Sequence, residues 1–340
     1  MTEHVSGADL ARRLYAEHLA AALSMPHAAA LLGWGSDVLG FDDERSTDHG
    51  FGPRLVVFVD ANDVAAAADS VESVLPDEVA GWPTRFGWDD VPVTHHVHVA
   101  ELGAWLVGRI GFDAREPIAT IDWLSTPQQR LLEVTEGAVF HDDGRLTNVR
   151  EALRWYPHDV WLWLIASQWR RIAQEESFAG RTAQVGDDLG SRILAARLAR
   201  DVMRLCFLLE RRYAPYAKWL GSAFARLESA RDVGPALAAA LAADTWRERE
   251  DGLVAAYEAA ASRFAALGVA ESVDPSARPY YSRPFRVIGG DRLAEACLAR
   301  IEDPALRTQP PIGGIDQISD STDALAPLRR GALAALYPGL

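Results

Sequence analysis

The pattern of apolar and polar positions divides the chain into two regions of different character. In the first region, short β-branched apolar runs at 54–60 and 93–99 alternate with segments whose apolar residues recur at helical spacing, such as 8–32 and 64–74. The short runs predict strands, and the helical spacing predicts helices around them. This alternation is typical of a small mixed sheet packed against helices.

From about residue 146 onward, the pattern changes to long helical repeats with few strand signals. The predicted helices of this second region are 158–176, 187–212, 216–230, 233–267, 291–302 and 323–336. Shorter helices are predicted at 102–110 and 126–135. The chain is therefore expected to belong to the α+β class, with an N-terminal α/β domain over residues 1–125 and a mostly α-helical domain over 126–340.

The charge balance narrows the classes of partner. The 340 residues include 34 basic and 48 acidic ones, which gives a net charge of −14, and the sequence contains no basic block. Proteins that bind nucleic acids or anionic membranes nonspecifically usually carry a basic surplus, so those partners are not expected and a small-molecule substrate is. No feature of the sequence bears on the oligomeric state.

Two further features concern the environment of the protein. No apolar stretch is long enough to span a membrane, and polar residues such as Glu3 and Asp9 precede the first apolar run, so neither a membrane span nor a signal peptide is expected. The predicted location is the cytoplasm. Cys206 and Cys297 fall within apolar helical patterns and are expected to be small buried side chains rather than disulfide or zinc ligands.

A glycine–serine pair directly after the first helical segment is the strongest candidate for chemistry. Gly35 permits a tight turn with close approach to a ligand, and Ser36 adds a hydroxyl beside backbone N–H groups, a combination suited to phosphate oxygens. Asp48, shortly before the strand at 54–60, is a candidate ligand for a divalent cation such as Mg²⁺. Taken alone, the pair also fits an ordinary loop with a solvated acidic face.

The order of helix, Gly35 and Ser36, spacer, Asp48 and strand resembles the DNA polymerase β-like nucleotidyltransferase superfamily. Four segments resemble a bacterial nucleotidyltransferase-like family catalogued as a domain of unknown function: GSDVLGFDDERSTDHGFGPRL, YPHDVWLWLIASQW, YAPYAKWLGSAF and IGGIDQISDSTD. The resemblance implies a nucleotidyltransferase-like N-terminal domain that uses Mg²⁺ and ATP or another nucleoside triphosphate. It also implies transfer of a nucleoside monophosphate to a small-molecule acceptor, with release of pyrophosphate.

The sequence departs from the superfamily pattern at its metal site. With Asp48 as the first carboxylate, the second would occupy position 50, which is Gly50. His49 is a candidate substitute, although imidazole is a poorer Mg²⁺ ligand than carboxylate, and the loop acids at 42–44 are others. Two interpretations follow. The protein is an enzyme with a rebuilt metal site, or it is a nucleotide- or metabolite-binding protein that has lost or changed the transfer chemistry.

Lys218 is the only lysine among the 34 basic residues. With Pro215 placed at the first helical position, it lies in the first turn of a predicted helix, where an ammonium group and free backbone N–H groups together favour phosphate. Tyr216 and its aromatic neighbours are suited to stacking with a nucleobase or to excluding water. We expect Lys218 to bind nucleotide opposite the turn at Gly35 and Ser36. The structural alternative is a lysine that lies along an aromatic surface.

Three further features are weaker candidates. His96 and His98 share one face of the strand at 93–99 and point away from His95, an arrangement with too few ligands for zinc but suited to lining a cleft. Tryptophans recur at the start of the second region, where Trp161, Ile165 and Ile172 fit one helical stripe, and core packing is expected for them. The acidic segment 312–323 either closes over the site or caps the last helix.

The candidate site residues can be stated by role. The candidate catalytic residues are Asp48, His49 and Lys218; the candidate nucleotide-binding residues are Gly35, Ser36, Lys218 and Tyr216; the candidate metal ligand is Asp48. The base that activates the acceptor is unassigned, and His49, His98 and Glu101 are candidates by their location only.

Overall fold

The computed structural model describes residues 5–48, 50–326 and 330–340. His49, a candidate catalytic residue, and residues 327–329 of the predicted last helix lie outside this set. The chain forms two compact units, Met1–Asp122 with Arg130–Arg154, and Trp123–Gln129 with Trp155–Leu340. The chain therefore passes between the units more than once, and the domain boundary expected at residues 125 and 126 stays a prediction.

The first unit contains a five-stranded sheet, a separate pair of short strands and flanking helices. Its strands are β1 (Ala28–Ala30), β2 (Arg54–Val59), β3 (Glu78–Val79), β4 (Trp82–Pro83), β5 (Arg85–Trp88), β6 (Val91–Glu101) and β7 (Val139–His141). Its helices are α1 (Gly7–Leu14), α2 (Val64–Val74), α3 (Leu102–Ile110) and α6 (Arg145–Ala152). Two helices that precede α6, α4 (Thr120–Ser125) and α5 (Gln128–Thr135), belong partly to each unit.

The sheet is mixed and has the strand order β5-β6-β2-β1-β7. β2 and β6 are parallel, and the other neighbouring strands are antiparallel. β2 is buried along its whole length because it is a central strand, which explains its nearly continuous run of apolar residues. The register of the parallel pair places Arg54 of β2 beside His96 of β6.

Helix α1 begins after the N-cap Ser6, whose hydroxyl accepts a hydrogen bond from the N–H of Asp9. The helix continues as a π-helical turn, Tyr15–Leu19, and its apolar side chains join the core of the sheet. The predicted helix over 8–32 is therefore too long. Ala28–Ala30 form β1 instead, because backbone pairing with strands on both sides outweighs the high helix propensity of alanine.

The second unit is almost entirely helical. Its helices are α7 (His158–Glu175), α8 (Phe178–Gln184), α9 (Asp188–Leu209), α10 (Ala217–Phe224), α11 (Ala230–Ala242), α12 (Trp246–Ala266), α13 (Gly290–Leu298), α14 (Pro304–Thr308), α15 (Ile315–Ile318) and α16 (Arg330–Ala334). A two-stranded ribbon of β8 (Arg278–Pro279) and β9 (Arg286–Val287) separates α12 from α13. The α+β class expected from the sequence, with a small mixed sheet followed by many helices, is confirmed.

Two of the long predicted helices are shorter than the periodicity indicates. The predicted helix 216–230 ends at Phe224, and the predicted helix 233–267 is two helices, α11 and α12. The break comes at Thr245, which forms a capping box with Glu248 at the start of α12. The apolar repeat runs through the break because both helices bury one face in the same core.

The core of the second unit contains the residues that the sequence assigned to it. Trp161, Trp163 and Trp169 of α7 are almost completely buried, which confirms the expected core packing. Cys206 and Cys297 are buried and unpaired with each other, which confirms their assignment as small core side chains. None of the described helices is both long and apolar enough to cross a membrane.

Candidate functional site

A cavity of about 480 Å³ opens over the sheet of the first unit, a volume within the usual range for small-molecule sites. It is lined by residues of β2, β6 and α3 and by the chain around Trp34. Its basic lining residues are Arg54, His95, His96, His98 and Arg109, and the remaining ones are Leu32, Trp34, Leu55, Val56, Val97, Ala104, Trp105 and Gly108. None of these described lining residues is acidic, so the cavity favours an anion.

The parallel register of β2 and β6 explains how basic groups gather here. Arg54 lies beside His96, and His98 follows two residues later, so the three side chains belong to one face of adjacent strands. This agrees with the sequence analysis, which places His96 and His98 on one face at a cleft. The imidazole of His95 contacts the carboxylate of Glu72 on α2, with Nε2 and Oε2 3.3 Å apart.

Arg54 is anchored on several sides. Its side chain is buried, and Nη2 forms an ion pair with Asp37 and donates a hydrogen bond to the carbonyl oxygen of Trp34 at 2.6 Å. The guanidinium also lies over the indole of Trp34, 4.5 Å from the ring centroid. Asp37, itself buried, accepts a hydrogen bond from the N–H of Val38. Arg54 therefore holds the chain at residues 34–38 against the sheet.

Gly35 is required by this arrangement. Its φ is +125°, and a Cβ atom placed on it would collide with Nη2 of Arg54 and Oδ1 of Asp37. Any side chain at this position would separate the ion pair from the turn. Groups of the protein itself thus approach Gly35 closely, and its role in phosphate binding stays a prediction.

Gly50 lies beneath an aromatic cluster. Its φ is +65°, and a Cβ atom placed on it would lie 2.8 Å from the indole of Trp34. Trp34 in turn packs against Trp88, with ring centroids 5.2 Å apart. A carboxylate residue at position 50 would therefore need a strained backbone and a displaced Trp34. This gives a structural reason for glycine where the superfamily pattern has its second carboxylate.

Arg109, in the last turn of α3, shares a buried carboxylate with a second arginine. Its Nη1 donates to Oε2 of Glu133 at 3.1 Å, and Nη1 of Arg130 donates to the same oxygen at 2.7 Å. The side chain of Glu133 is 4% exposed, whereas that of Arg109 is 24% exposed. One carboxylate oxygen therefore accepts hydrogen bonds from two guanidinium groups.

The two histidines of this face are kept neutral by their surroundings. Burial lowers the pKa of His96 and of His98, and the nearby charges of Arg54 and Arg109, respectively, lower each further. Nε2 of His96 lies 2.9 Å from the carbonyl oxygen of Phe86. Because a carbonyl only accepts, this nitrogen carries the proton. An anion in the cavity would raise the pKa of both imidazoles.

The turn at Gly35 and Ser36 meets the acidic loop through hydroxyl groups. Oγ of Ser36 donates to Oγ of Ser46 at 3.3 Å, and Ser46 lies in a 3₁₀ turn, Glu44–Asp48. Asp43 closes this turn by accepting hydrogen bonds from N–H groups of residues 45 and 46. The structure thus brings Ser36 to the segment that ends at Asp48, which is exposed. The catalytic and ligand-binding roles of Ser36 and Asp48 stay predictions.

The described residues contain no group of three or more His, Cys, Asp or Glu side chains that could hold a metal ion. Asp42, one of the loop acids considered as a ligand, accepts a hydrogen bond from the N–H of Gly7 at 2.8 Å. Glu101, considered as a base, caps α3 by accepting from the N–H of Ala104 at 2.7 Å and pairs with Arg115. The structure therefore uses these acids to hold the chain.

Lys218 is the second residue of α10 in the second unit, and Tyr216 is the N-cap residue. Pro215 therefore precedes the helix, which corrects its predicted place at the first helical position. Lys218 is exposed, with Nζ 5.0 Å from the ring centroid of Trp219, as the structural alternative expects. The nucleotide-binding roles of Lys218 and Tyr216, and the expected position of Lys218 opposite Gly35, stay predictions.

The acidic segment 312–323 packs on the core of the second unit. The side chain of Gln317 accepts a hydrogen bond from the N–H of Gly314 and donates two, to the carbonyl of Leu164 and to Oε1 of Gln168, each at 2.9 Å. This contact explains the buried Gln168, the polar member of the stripe on α7.

The same segment holds the chain that leads into α10. Asp316 accepts a hydrogen bond from the N–H of Gln128 at 2.8 Å, and Oε1 of Gln128 accepts one from the N–H of Ala214 at 2.6 Å. Oε1 of Gln129 lies 3.3 Å from the backbone nitrogen of Tyr216. Three segments that are distant in sequence are thus joined by polar contacts inside the second unit.

The end of this segment caps a short turn. The hydroxyl of Ser321 accepts a hydrogen bond from the N–H of Asp323 at the start of a 3₁₀ turn, Thr322–Leu325. The segment therefore caps this turn and not the last helix, and the predicted helix 323–336 is wrong in its described part. That part contains only this turn and α16.

Sequence reasoning missed three residues of the cavity, Trp34, Arg54 and Arg109. A signal for Arg54 exists, because an arginine that opens an apolar central strand must be paired when buried. Trp34 stands between two glycines, which is a second signal. Arg109 has none, since an arginine in the last turn of a helix is commonly a solvated partner of the helix dipole.

Comparisons with known proteins give one family match and one similar solved structure. Residues 123–220 match the model of a family described as "Domain of unknown function (DUF4037)", which confirms the resemblance to a family of that kind. A crystal structure of a nucleotidyltransferase-like protein from Exiguobacterium sibiricum 255-15 aligns with a TM-score of 0.34 and 14% identity, over 77% of each chain. No curated protein matches the sequence.

Proposed function

We propose that the first unit binds a phosphorylated small molecule of the nucleoside triphosphate type in the cavity formed by β2, β6 and α3. One observation carries this proposal: arginine and histidine side chains line the cavity, and its described lining contains no acid. The cationic groups are the two arginines, and guanidinium groups in a partly enclosed site bind phosphate strongly, because water screens them less than at the surface. Trp34 of the lining is 40% exposed and offers an aromatic surface to a nucleobase.

Nucleotidyl transfer is the second candidate function. It is favoured by the contact of Ser36 with Ser46, on the turn that ends at Asp48. In that function the protein would transfer a nucleoside monophosphate from ATP to a small-molecule acceptor and release pyrophosphate. Mg²⁺, held by Asp48 and by phosphate oxygens of the nucleotide, would neutralise charge. His49 and the turn at Gly35 would belong to this proposed site, and Lys218 and Tyr216 of the second unit are proposed as further nucleotide-binding residues.

Isothermal titration calorimetry with ATP, ADP and inorganic phosphate, each with and without Mg²⁺, separates the two functions. Binding of metal-free ATP supports the proposed function. Binding of ATP that requires Mg²⁺, together with pyrophosphate release in the presence of a metabolite pool, favours transfer. If none of the three ligands binds, either with or without Mg²⁺, the proposal is contradicted.

A matched pair of variants on α3 locates the ligand. Ala104 lines the cavity, whereas Val107, exposed on the same helix, is not among the lining residues. Ala104→Glu adds a negative charge to the cavity and is expected to weaken ATP binding by about tenfold. Val107→Glu adds the same charge outside the lining and is expected to change binding by no more than about twofold. Equal effects would place the ligand elsewhere.

A further inference from the structure

The two arginines of the cavity differ in how many of their nitrogen atoms are already used. Nη2 of Arg54 serves Asp37 and the carbonyl of Trp34, and the Arg54 side chain is 7% exposed. Its Nε is buried without a hydrogen-bond partner, so it is closed to a ligand in this arrangement. Arg54 is thus held at the turn by Gly35 through Nη2, and Nη1 is the one nitrogen that is neither paired among the described residues nor buried without a partner.

Arg109 keeps a free edge. Among the described residues, its only hydrogen bond is that of Nη1 to Oε2 of Glu133. Nε and Nη2 have no hydrogen-bond partner among the described residues, and neither is a buried atom. Both nitrogens therefore remain accessible to a ligand. A Cβ atom placed on Gly33 would lie 3.3 Å from Nη2 of Arg109, which locates this nitrogen beside the glycine that precedes Trp34.

Glu133 connects α3 with the chain at Gly33, which are two parts of the cavity wall. Its carboxylate holds Arg109 of α3, and its backbone carbonyl accepts a hydrogen bond from the N–H of Gly33 at 2.8 Å. Arg130 pairs with the same carboxylate oxygen, so the negative charge of Glu133 is divided between two guanidinium groups. The charge of Arg109 is therefore only partly compensated.

We infer that Arg109 is the residue that binds the anionic group of the ligand directly, and that Glu133 is a positioning residue that fixes its guanidinium. The inference rests on the proposed function and names a contact within that site. A guanidinium can pair with Glu133 through one edge and with phosphate oxygens through another. An ammonium group offers no such planar fork, so the inference requires an arginine rather than any cation.

Substitutions of Arg109 test the direct contact. With metal-free ATP and inorganic pyrophosphate as probes in calorimetry, Arg109→Ala is expected to weaken binding by at least about tenfold. Arg109→Lys keeps the charge but loses the planar fork, and is expected to lose nearly as much. If Arg109 acted only through its long-range charge, Arg109→Lys would bind as the original protein does, and that result would overturn the inference.

Substitutions of Glu133 test the positioning role, because an electrostatic role and a positioning role predict opposite changes in ligand affinity. Glu133→Gln removes a negative charge next to the cavity, so a purely electrostatic role predicts tighter binding. A positioning role predicts weaker binding, by about threefold or more. If Glu133→Gln does not fold, Glu133→Asp keeps the charge and shortens the side chain. Weaker binding by this variant supports the inference, and unchanged binding contradicts it.

Failure of the inference and failure of the proposed function are distinguishable. If the unaltered protein binds none of the phosphate probes, the proposed function itself is wrong. If it binds ATP and pyrophosphate and Arg109→Ala binds them equally well, the cavity function stands and the assignment of Arg109 is wrong. Circular dichroism of each variant establishes that it is folded before binding is compared.

Discussion

Both units of the molecule bury charged side chains, but in different surroundings. In the first unit, Arg109 and two histidines line an open cavity, and part of the Arg109 guanidinium remains unpaired among the described residues. In the second unit, the carboxylate of Glu176 accepts hydrogen bonds from the N–H groups of residues 288, 289 and 290, at 2.6, 3.1 and 3.3 Å. This carboxylate thereby holds the start of α13.

The comparison shows that a buried charge is not by itself a sign of a functional site. Arg249 of the second unit is 1% exposed and pairs with Asp188 and Ser191, so it joins two helices. Arg54 of the first unit lines a cavity, but like Arg249 it holds two parts of the chain together, here the sheet and the turn at residues 34–38. Arg109 is assigned the function because it lines the cavity with two donor nitrogens, unpaired in the described part of the chain, on a side chain that is 24% exposed, whereas the Arg54 side chain is 7% exposed.

The largest effect is expected where a cavity residue is structural. Arg54→Ala leaves Asp37 buried without its partner and should lower the free energy of unfolding by about 3–5 kcal/mol. Arg85→Ala is the control, because its pair with Glu72 is about half exposed and should be worth at most about 1 kcal/mol. Urea unfolding measures both. Equal losses would show that Arg54 does not anchor the turn.

The second prediction concerns Glu176, whose pKa burial raises to about 7 despite the three N–H donors. The unfolded chain releases this proton near pH 4.3, so between about pH 4 and 7 the folded state binds more protons. Stability should therefore decrease as pH rises through this range, by about 3 kcal/mol from this group. Glu176→Gln should remove that part of the slope in urea unfolding at a series of pH values. An identical slope in both proteins contradicts the assignment.

The third prediction separates backbone strain from contact with Trp34. Gly50→Ala combines a left-handed backbone with a collision against the indole and should cost about 2–3 kcal/mol. Gly81 is a matched control, since its φ is +80° and a Cβ atom placed on it would meet nothing within 4 Å, so Gly81→Ala should cost only about 1 kcal/mol. Unfolding by denaturant measures the difference. Equal costs would mean that Trp34 moves freely.

The smallest change in stability is expected for Lys218. Because it is exposed, Lys218→Met should alter the free energy of unfolding by no more than about 0.5 kcal/mol. If Lys218 binds nucleotide as proposed, the Lys218→Met variant should nevertheless bind ATP about tenfold more weakly. The Lys218→Arg variant should retain most of the affinity for ATP. Calorimetry that gives the same affinity for Lys218→Met and the original protein would remove Lys218 from the site.

The sequence analysis was most reliable where structure depends on local periodicity. The tryptophans of α7, the two cysteines and the strand β2 were placed correctly, because the spacing of apolar residues reports directly which face of an element is buried. It failed at Ala28–Ala30, where a helix-favouring composition forms a strand. The break between α11 and α12, just before Thr245, was not predicted, because the helices on both sides of it pack on one core.

Local sequence patterns were enough to predict the α+β class, most of the long helices and the face shared by His96 and His98. Only the tertiary structure brought Arg54, Arg109 and these histidines to one cavity, and only it showed why position 50 is glycine. The physical reason is that periodicity is a property of neighbouring residues, whereas the parallel register of β2 and β6 and the packing of α3 join residues far apart in the chain. Contacts of that kind leave no repeat in the sequence.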